Sequence, residues 1–263
     1  MINDELKHLL QRLGLNYLAH NLSDFIARST KNRASAQEMI EDMAHCETLE
    51  KHQRGLARRV ASAKLGRYRP LTEFDWAWPK HLPKEVVDHL MRLAFIEEPA
   101  NVILVGPSGT GKTMIAKNLA YEAVMAGRSV LFCEAADMLS DLEQQESPRA
   151  LRLRLSRYVK PDLLVVDEVG YLSYSGRAAD LMFQVVSKRH EKAATIITTN
   201  VSFKDWPQIF PGAACVVAML DRLTHRAEII AIDSESYRKR EATARREAKP
   251  KSEMPTKTTK GKA

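Results

Sequence analysis

The sequence predicts an α/β protein in which a five-stranded parallel sheet follows a small all-helical domain. From about residue 85, short and continuously apolar runs alternate with helical segments, which is typical of parallel strands covered by helices on both faces. A glycine-rich motif follows the first of these runs and opens a helix. Earlier in the chain, residues 4–68 contain no proline and only three glycines, a composition that favours helices over turns.

Residues 1–70 are predicted to form the helical domain. Its first part carries leucines at helical spacing, namely Leu6, Leu9, Leu10, Leu13 and Leu18. A second helix is expected from Ser35, because Glu38 stands three residues later and completes a capping-box pattern. These two signals predict at least two helices before the sheet begins.

Residues 71–84 form a predicted connector that is rich in proline. Trp76 and Trp78 within it are expected to be packing anchors between the two domains rather than stacking platforms. Residues 85–240 are the predicted α/β core, with apolar runs at residues 102–105, 130–132, 163–166, 195–198 and 229–232. Residues 241–263 are rich in Lys, Arg, Ala and Thr and are predicted to be a disordered basic tail.

The basic residues are concentrated at the two ends of the chain. The whole chain carries a net charge of +7, and residues 238–263 alone carry ten Lys or Arg against three Glu. Residues 1–70 carry twelve basic and eight acidic side chains, which leaves residues 71–237 mildly acidic. This asymmetry suggests a polyanion such as nucleic acid as a partner of the ends. The alternative is a solvated helix face and a tail that bind nothing.

The composition also argues against several classes of protein. No apolar run approaches the ~18 residues that span a bilayer, so no membrane partner is expected. The first five residues lack the basic and apolar regions of a secretion signal. The three cysteines are widely spaced and form no C-x-x-C pair, which argues against a disulfide framework and against a zinc site. A reducing cytoplasm is the expected compartment.

The glycine-rich motif predicts a nucleotide-phosphate site. It consists of Gly106, Pro107, Ser108, Gly109, Thr110, Gly111, Lys112 and Thr113, and it matches G-x-x-x-x-G-K-[ST]. Glycines let such a loop fold back so that successive N–H groups point at phosphate oxygens, and the following helix adds the partial positive charge of its N-terminus. Lys112 is expected to reach the β- and γ-phosphates of ATP, and the Thr113 hydroxyl is expected to bind Mg²⁺.

Two carboxylates end the third apolar run and point to hydrolysis. Asp167 is expected at the strand tip beside the glycine-rich loop, where it would hold Mg²⁺ through the ion's water shell. Glu168 is expected to polarise a water molecule for attack on the γ-phosphate. Without the loop, an isolated Asp-Glu pair would be read as a surface turn.

Two further polar residues have open interpretations. Asn200 follows the fourth apolar run, where it would either orient the attacking water or serve as an ordinary helix N-cap or turn residue. Arg222 follows a short helix predicted at residues 213–220. It would form either a surface ion pair of little value or an arginine finger that reaches a neighbouring subunit's nucleotide.

Taken together, these motifs resemble those of the AAA+ ATPases, and within them the IstB family of transposition helper proteins, which is related to the helicase loader DnaC and the initiator DnaA. The resemblance rests on residues 106–113, 166–172, 198–200, 221–223 and 236–238. It implies a sheet of order 5-1-4-3-2 without a helical lid, ATP-dependent oligomers and binding to duplex DNA. It also implies a transposase of the same element as partner. Asn200 matches the sensor position and Arg222 the finger position, whereas Ser234 replaces a glycine frequent in the family and leaves the role of Arg238 open.

A basic block without acidic residues is the predicted DNA-binding segment. It comprises Lys51, Arg54, Arg58, Arg59, Lys64, Arg67 and Arg69. Lys51, Arg54 and Arg58 fall on one helical face, and the scarcity of aromatic residues there favours phosphate contacts to a duplex over stacking on single strands. An exposed basic helix face that binds nothing is the alternative.

Other functions share the same core. A helicase loader of the DnaC type would differ in its partner, and a DNA-architectural adaptor would use ATP only as a switch. A small-molecule kinase is disfavoured, because kinases seldom need a second carboxylate such as that of Glu168, since their acceptor is not water.

Overall fold

The computed structural model describes residues 4–78, 82–171, 174–234, 236, 237 and 240. The chain forms two compact units, residues 1–62 and 63–263. The first unit ends eight residues before the boundary predicted at residue 70.

The first unit is helical. It contains α1 (Asp4–Arg12), α2 (Asn16–Lys31) and α3 (Ala36–Ala63), the last of which ends one residue into the second unit. Its small core consists of Leu10, Leu18, Ala19, Leu22 and Phe25. Of the predicted leucine stripe, Leu6, Leu9 and Leu13 are exposed. Gly14, with a φ of +74°, separates α1 from α2, so Leu18 lies on a different helix from the other leucines of the pattern.

The predicted capping box is present at the start of α3. The Glu38 carboxylate accepts a hydrogen bond of 2.7 Å from the Ser35 backbone N–H, and the Ser35 hydroxyl oxygen accepts one of 3.3 Å from the Glu38 N–H. The bond from the Ser35 backbone holds the pKa of the Glu38 carboxyl below its usual value. Both bonds satisfy helix N–H groups that have no partner within the helix.

The second unit carries the sheet. Its strands are β1 (Asn101–Val105), β2 (Val130–Glu134), β3 (Leu163–Val169), β4 (Ala194–Thr199) and β5 (Ala227–Ala231). Its helices are α4 (Lys84–Leu90), α5 (Ala94–Glu97), α6 (Lys112–Met125), α7 (Ala135–Glu143), α8 (Pro148–Val159), α9 (Gly176–Arg189), α10 (Trp206–Ile209) and α11 (Val216–Thr224). The strands lie in the order β2-β3-β4-β1-β5, and all of their pairings are parallel. This order confirms the one implied by the resemblance.

The sheet places the carboxyl ends of β1, β3 and β4 side by side. Val105 at the end of β1 pairs with Thr199 at the end of β4, and β3 pairs with β4 on the other side. The loops that follow these strands therefore meet at one edge, where open α/β sheets bind their ligands. Strands β1, β3 and β4 are almost fully buried, as their continuous apolar runs predicted. The run at residues 229–232 predicted the same for β5, but only Ile230 of that strand is buried, because β5 is the last strand of the sheet and pairs on one side only.

The segment after α3 packs on α6. Asn118 of α6 donates a 2.8 Å hydrogen bond to the Arg69 carbonyl and accepts one of 3.1 Å from the Leu71 N–H. Trp76 contacts Phe74, with 4.7 Å between the ring centroids. Both rings belong to the second unit, so the packing found for Trp76 lies within that unit.

Two predictions concern the end of the chain. Beyond β5 the structure describes only residues 232–234, 236, 237 and 240. The expected absence of a helical lid and the predicted disordered tail at residues 241–263 therefore lie outside the described residues. Within the described part of the chain, every helix is too short or too polar to span a bilayer.

Candidate nucleotide site

The glycine-rich loop connects β1 to α6 and requires glycine at two positions. A Cβ at Gly106 would lie 2.2 Å from the carbonyl oxygen of Ile232, so the close approach of these two backbone segments excludes a side chain. Gly111 has a φ of +94°, and a Cβ there would lie 2.5 Å from the Phe74 ring. These constraints fix a tight loop directly before the N-terminus of α6, the arrangement that binds phosphate groups.

Lys112 lies across this loop. Its ammonium donates hydrogen bonds to the carbonyl oxygens of Gly106 and Pro107, at 2.6 and 2.7 Å. The side chain is buried, with 9% of the residue exposed. A positive charge is thus held inside the loop, where it can bind the β- and γ-phosphates of a nucleotide.

Thr113 and Asp167 contact each other where the loop passes into α6. The Thr113 hydroxyl donates a hydrogen bond of 3.0 Å to Asp167 Oδ1, and Asp167 is 4% exposed. Magnesium binds to oxygen ligands, typically one or two protein groups with the remaining positions held by water and substrate phosphates. The hydroxyl and the carboxylate found here fit a magnesium ion bound together with a nucleotide.

Glu168 lies at a β-bulge in β3. The pairing register of β3 with β4 shifts between Val166 and Val169, and Glu168 has a φ of +60°. Bulges near sites redirect a side chain that regular pleating would point elsewhere, and a left-handed conformation is rare for residues other than glycine. Because of this bulge, Glu168 is exposed and lines the same cavity as Lys112.

Thr198 joins the two acidic residues. Its hydroxyl donates to Asp167 Oδ1, and its oxygen accepts a hydrogen bond of 2.9 Å from the backbone N–H of Glu168. The residue is almost fully buried. Thr198 thus holds the Asp167 carboxylate and the bulge at Glu168 in one arrangement, a role that the sequence analysis missed because it assigned the motif at residues 198–200 to Asn200 alone.

A cavity of about 220 Å³ lies beside this arrangement. The loop from Ser108 to Thr113, Glu168 and Asn200 all line it, so the structure brings together the loop residues, the carboxylate and the polar residue after β4. Asn200 is exposed, and its proposed role in orienting water stays a prediction.

Further residues that were not predicted for the site also line the cavity, among them Arg69, Phe74, Trp78 and Tyr237. The Tyr237 N–H donates a hydrogen bond of 3.0 Å to the Gly109 carbonyl of the loop. Trp78 lies beside the nucleotide loop, and its expected role as a domain anchor stays a prediction. Three aromatic residues within positions 74–78, in a chain with only 6% aromatic residues, were a signal that could have found this part of the site.

Arg222 lies away from the cavity. The helix predicted at residues 213–220 is displaced, since α11 runs from Val216 to Thr224 and contains Arg222 in its last turn. The guanidinium donates to the Ser187 hydroxyl and lies 4.6 Å from the centre of the Phe183 ring. The end of α11 is bound to the start of β1, because Asn101 donates a hydrogen bond of 3.0 Å to the Leu223 carbonyl.

This contact separates Arg222 from its own nucleotide loop. Asn101 is the first residue of β1 and the loop follows its last, Val105. A five-residue strand at about 3.3 Å per residue separates the two ends by roughly 15 Å. Arg222 therefore lies near the amino ends of the strands, whereas the loop follows the carboxyl end of β1. The structure does not bring Arg222 to the loop of the same chain.

The basic block spans the two units. Lys51, Arg54 and Arg58 are exposed on α3 and Arg59 is partly buried there, whereas Lys64, Arg67 and Arg69 belong to the second unit and are exposed. Arg54 forms an ion pair with Glu50 at 2.8 Å. Exposed cations in a helix can contact phosphates, and their proposed role in DNA binding stays a prediction.

Comparison with known proteins shows similarity along most of the chain. A protein-family model described as IstB-like ATP binding protein matches residues 8–245. The ATP-binding protein of insertion sequence IS21 from Pseudomonas aeruginosa is 34% identical, over 90% of this chain and 89% of that protein. The ATP-binding protein of insertion sequence IS232 from Bacillus thuringiensis subsp. berliner is 32% identical, over 87% of this chain and 92% of that protein.

Two solved structures resemble the chain at low identity. AMPPCP-bound DnaA from Aquifex aeolicus aligns with a TM-score of 0.54 and 20% identity, over 70% of this chain and 56% of the DnaA chain. The crystal structure of DnaI aligns with a TM-score of 0.51 and 17% identity, over 66% of this chain and 92% of that chain. At these identities the likeness establishes the fold alone.

Proposed function

The chain belongs to the family of IstB-like ATP-binding proteins, and on that premise we propose that it is a magnesium-dependent ATPase that binds duplex DNA and regulates transposition. The observation that carries the ATPase part is the Thr113–Asp167 hydrogen bond of 3.0 Å beside Glu168 on its bulge. A site that only binds a nucleotide needs the glycine-rich loop and a metal ligand. The exposed carboxylate of Glu168 beside them supports hydrolysis, because it can accept a proton from water.

In the proposed reaction each residue has one task. The loop N–H groups and Lys112 bind the β- and γ-phosphates, and Thr113 and Asp167 hold Mg²⁺, which would neutralise charge on these phosphates. Glu168 accepts a proton from the attacking water. Asn200 orients that water.

The proposed oligomer follows from the position of Arg222. Its place near the amino ends of the strands supports a role toward the nucleotide of a second copy, because roughly 15 Å of β1 separates it from its own loop. An arginine at a neighbouring γ-phosphate would stabilise the charge of the transition state. Assembly with ATP would then depend on Arg222, and hydrolysis would reverse it.

Duplex DNA is the proposed polyanion. Lys51, Arg54 and Arg58 are exposed on one face of α3, and contacts of such residues to phosphates are independent of base sequence. Oligomers on DNA would prepare a target for a transposase of the same element, which is the proposed protein partner because the relatives are named as insertion-sequence proteins. The proposed place of action is the cytoplasm, at the nucleoid.

The experiment combines electron microscopy with DNA binding. The full chain is imaged with a non-hydrolysable ATP analogue, with and without a linear DNA duplex, and binding is measured at several salt concentrations. We expect nucleotide-dependent oligomers on the duplex. In the triple variant Lys51→Ala, Arg54→Ala and Arg58→Ala, the slope of log affinity against log salt should fall by up to about 0.9 for each lost phosphate contact.

Two outcomes would contradict parts of the proposal. Equal DNA binding by the triple variant and the wild type would exclude the basic face of α3 as the DNA contact. Capture of a replicative helicase in place of a transposase would favour the loader function. A transposase gene beside the gene of this chain would support the proposed partner.

A further inference from the structure

A group of potential metal ligands lies at the amino ends of the strands, away from the nucleotide loop at their carboxyl ends. His190, Glu191 and His225 each offer a ligand atom, and these three atoms all lie within 4.8 Å of one another. His225 Nδ1 is 3.6 Å from a carboxylate oxygen of Glu191, and the two imidazole rings have centroids 5.3 Å apart. His190 precedes β4 and His225 precedes β5, so the cluster is at the amino ends of these strands.

The fold brings the three side chains together through two helix ends. His190 is the C-cap residue of α9, and His225 is the C-cap residue of α11. Their backbone N–H groups donate to Val186 and Asp221, at 2.9 and 3.0 Å, which fixes each residue to the last turn of its helix. The carbonyl end of a helix carries partial negative charge, so two such ends favour a cation between them.

The geometry is close to that of a metal site. Ligand atoms about 2.1 Å from a tetrahedral zinc ion are about 3.4 Å apart, and the 3.6 Å between His225 Nδ1 and the Glu191 oxygen is near that value. Glu191 and His225 have side chains that are 54% and 53% exposed, so an ion can reach them from solvent. Small rotations of exposed side chains would bring the third ligand atom within range.

The ligand types select the metal. Two imidazoles and a carboxylate suit zinc and similar transition metals, whereas magnesium and calcium prefer sites made of oxygen ligands. We propose that His190, Glu191 and His225 bind one zinc ion, with water in the remaining position. The site is separate from the nucleotide chemistry and does not depend on the proposed function.

A zinc ion here would connect α9 to α11. These helices already pack on each other through Arg222, which contacts Ser187 and Phe183 of α9. Metal bonds at their ends would resist their separation and so stabilise the folded second unit. The expectation of no zinc site came from the spacing of the cysteines alone. The histidines are far apart in sequence, and only the packing of α9 on α11 reveals the cluster.

The experiment measures zinc binding by the full chain, free of purification tags and stripped of metal with a chelator. Titration of ZnCl₂ without nucleotide, followed by calorimetry, should give one ion per chain. Excess zinc at about 100 times Kd should raise Tm by roughly 5 °C. His190→Ala and His225→Ala should each weaken binding by roughly 100-fold, since even loss of a supporting residue costs 10- to 100-fold.

The matched control is His52→Ala, which removes an exposed histidine of α3 and should leave zinc affinity unchanged. Zinc affinity that is equal in the wild type and both cluster variants would overturn the proposal, as would the absence of binding at 100 μM zinc, an amount chosen to exceed roughly micromolar affinity. If a cluster variant unfolds, the absorption spectrum of cobalt(II) added to the wild type tests the proposal instead. Absorption bands of a four- or five-coordinate site support the proposal, and a spectrum of hexaaquo cobalt contradicts it.

Discussion

The hydroxyl oxygen of Thr113 lies 3.0 Å from Asp167 Oδ1, although the two residues are 54 positions apart in the sequence. The contact joins the first residues of α6 to the end of β3. It places a hydroxyl and a carboxylate together beside the buried ammonium of Lys112. The proposed magnesium site depends on this contact.

The first prediction concerns Asp167→Asn. Loss of the carboxylate charge should weaken binding of a fluorescent ATP analogue in the presence of Mg²⁺ by roughly 10- to 100-fold, the usual effect of removing a group that supports a metal ion. Binding measured in EDTA should change far less. Asp24→Asn, at an exposed position of α2, is the control. An equal loss with and without Mg²⁺ would contradict the assignment.

A second prediction tests Thr198 as a positioning residue. Thr198→Val removes the hydroxyl that bonds Asp167 and the Glu168 N–H, so kcat should fall by roughly 10-fold while KM for ATP changes less than threefold. The matched control is Thr195→Val on the same strand, whose hydroxyl accepts a hydrogen bond from Arg189. It should lower stability by about 1 kcal/mol and leave kcat unchanged. Equal kcat losses in both variants would indicate a general effect of destabilising β4.

Arg222→Ala tests the contact between copies. At protein concentrations where oligomers persist, the variant should hydrolyse ATP roughly 100-fold more slowly, the effect of losing one group that stabilises transition-state charge. Lys188→Ala, which removes an exposed cation of α9, should have no effect. Mixing Arg222→Ala with an excess of Lys112→Ala chains should restore part of the activity, because an intact arginine can then complete an intact loop. Full activity of oligomeric Arg222→Ala would exclude the role.

A further prediction concerns the pH dependence of the stability that Asp141 of α7 contributes through its contacts with α8. Burial by itself would raise the pKa of the Asp141 carboxyl, but hydrogen bonds from Arg154 and Tyr158 outweigh it and hold the pKa below its usual value. A lowered pKa in the folded state gives stability that is complete above about pH 4, the unfolded value. It is lost as the pH falls through the folded value.

Asp141→Asn should therefore lower the free energy of unfolding at pH 7 by roughly 1 kcal/mol, a modest figure because the Arg154 side chain is 41% exposed and solvent screens the pair. The difference from the wild type should shrink as the pH falls below about 4. Urea unfolding at pH 7 and at pH 3 measures it. A difference that is constant or grows toward low pH would contradict the assignment.

Most of the sheet was predictable because burial on both faces leaves a continuous apolar run in the sequence, although β5 carries such a run and is mostly exposed. Each of the five apolar runs became a strand, and the loop motif marked the end of β1. The capping box at Ser35 was equally visible, since its two residues are neighbours in the chain. Such features depend on local sequence, where composition and spacing are informative.

Other parts of the site depend on contacts between distant segments. The left-handed conformation of Glu168 arises from the pairing of β3 with β4, and no residue pattern marks it. Phe74 reaches the loop only because its segment packs on α6 through Asn118. The leucine stripe of α1 was misleading for a related reason, because Gly14 interrupts the helix on which it was placed.

The proposed ATPase activity depends on Glu168. The most direct measurement is phosphate release in a single turnover of Mg²⁺-ATP by the wild type and by Glu168→Gln, with ATP binding measured on the same samples. We expect the variant to bind ATP within threefold of the wild type and to release phosphate at least roughly 100-fold more slowly, the usual contribution of a general base. Equal rates of phosphate release in the two proteins would contradict it and would leave ATP as a switch ligand alone.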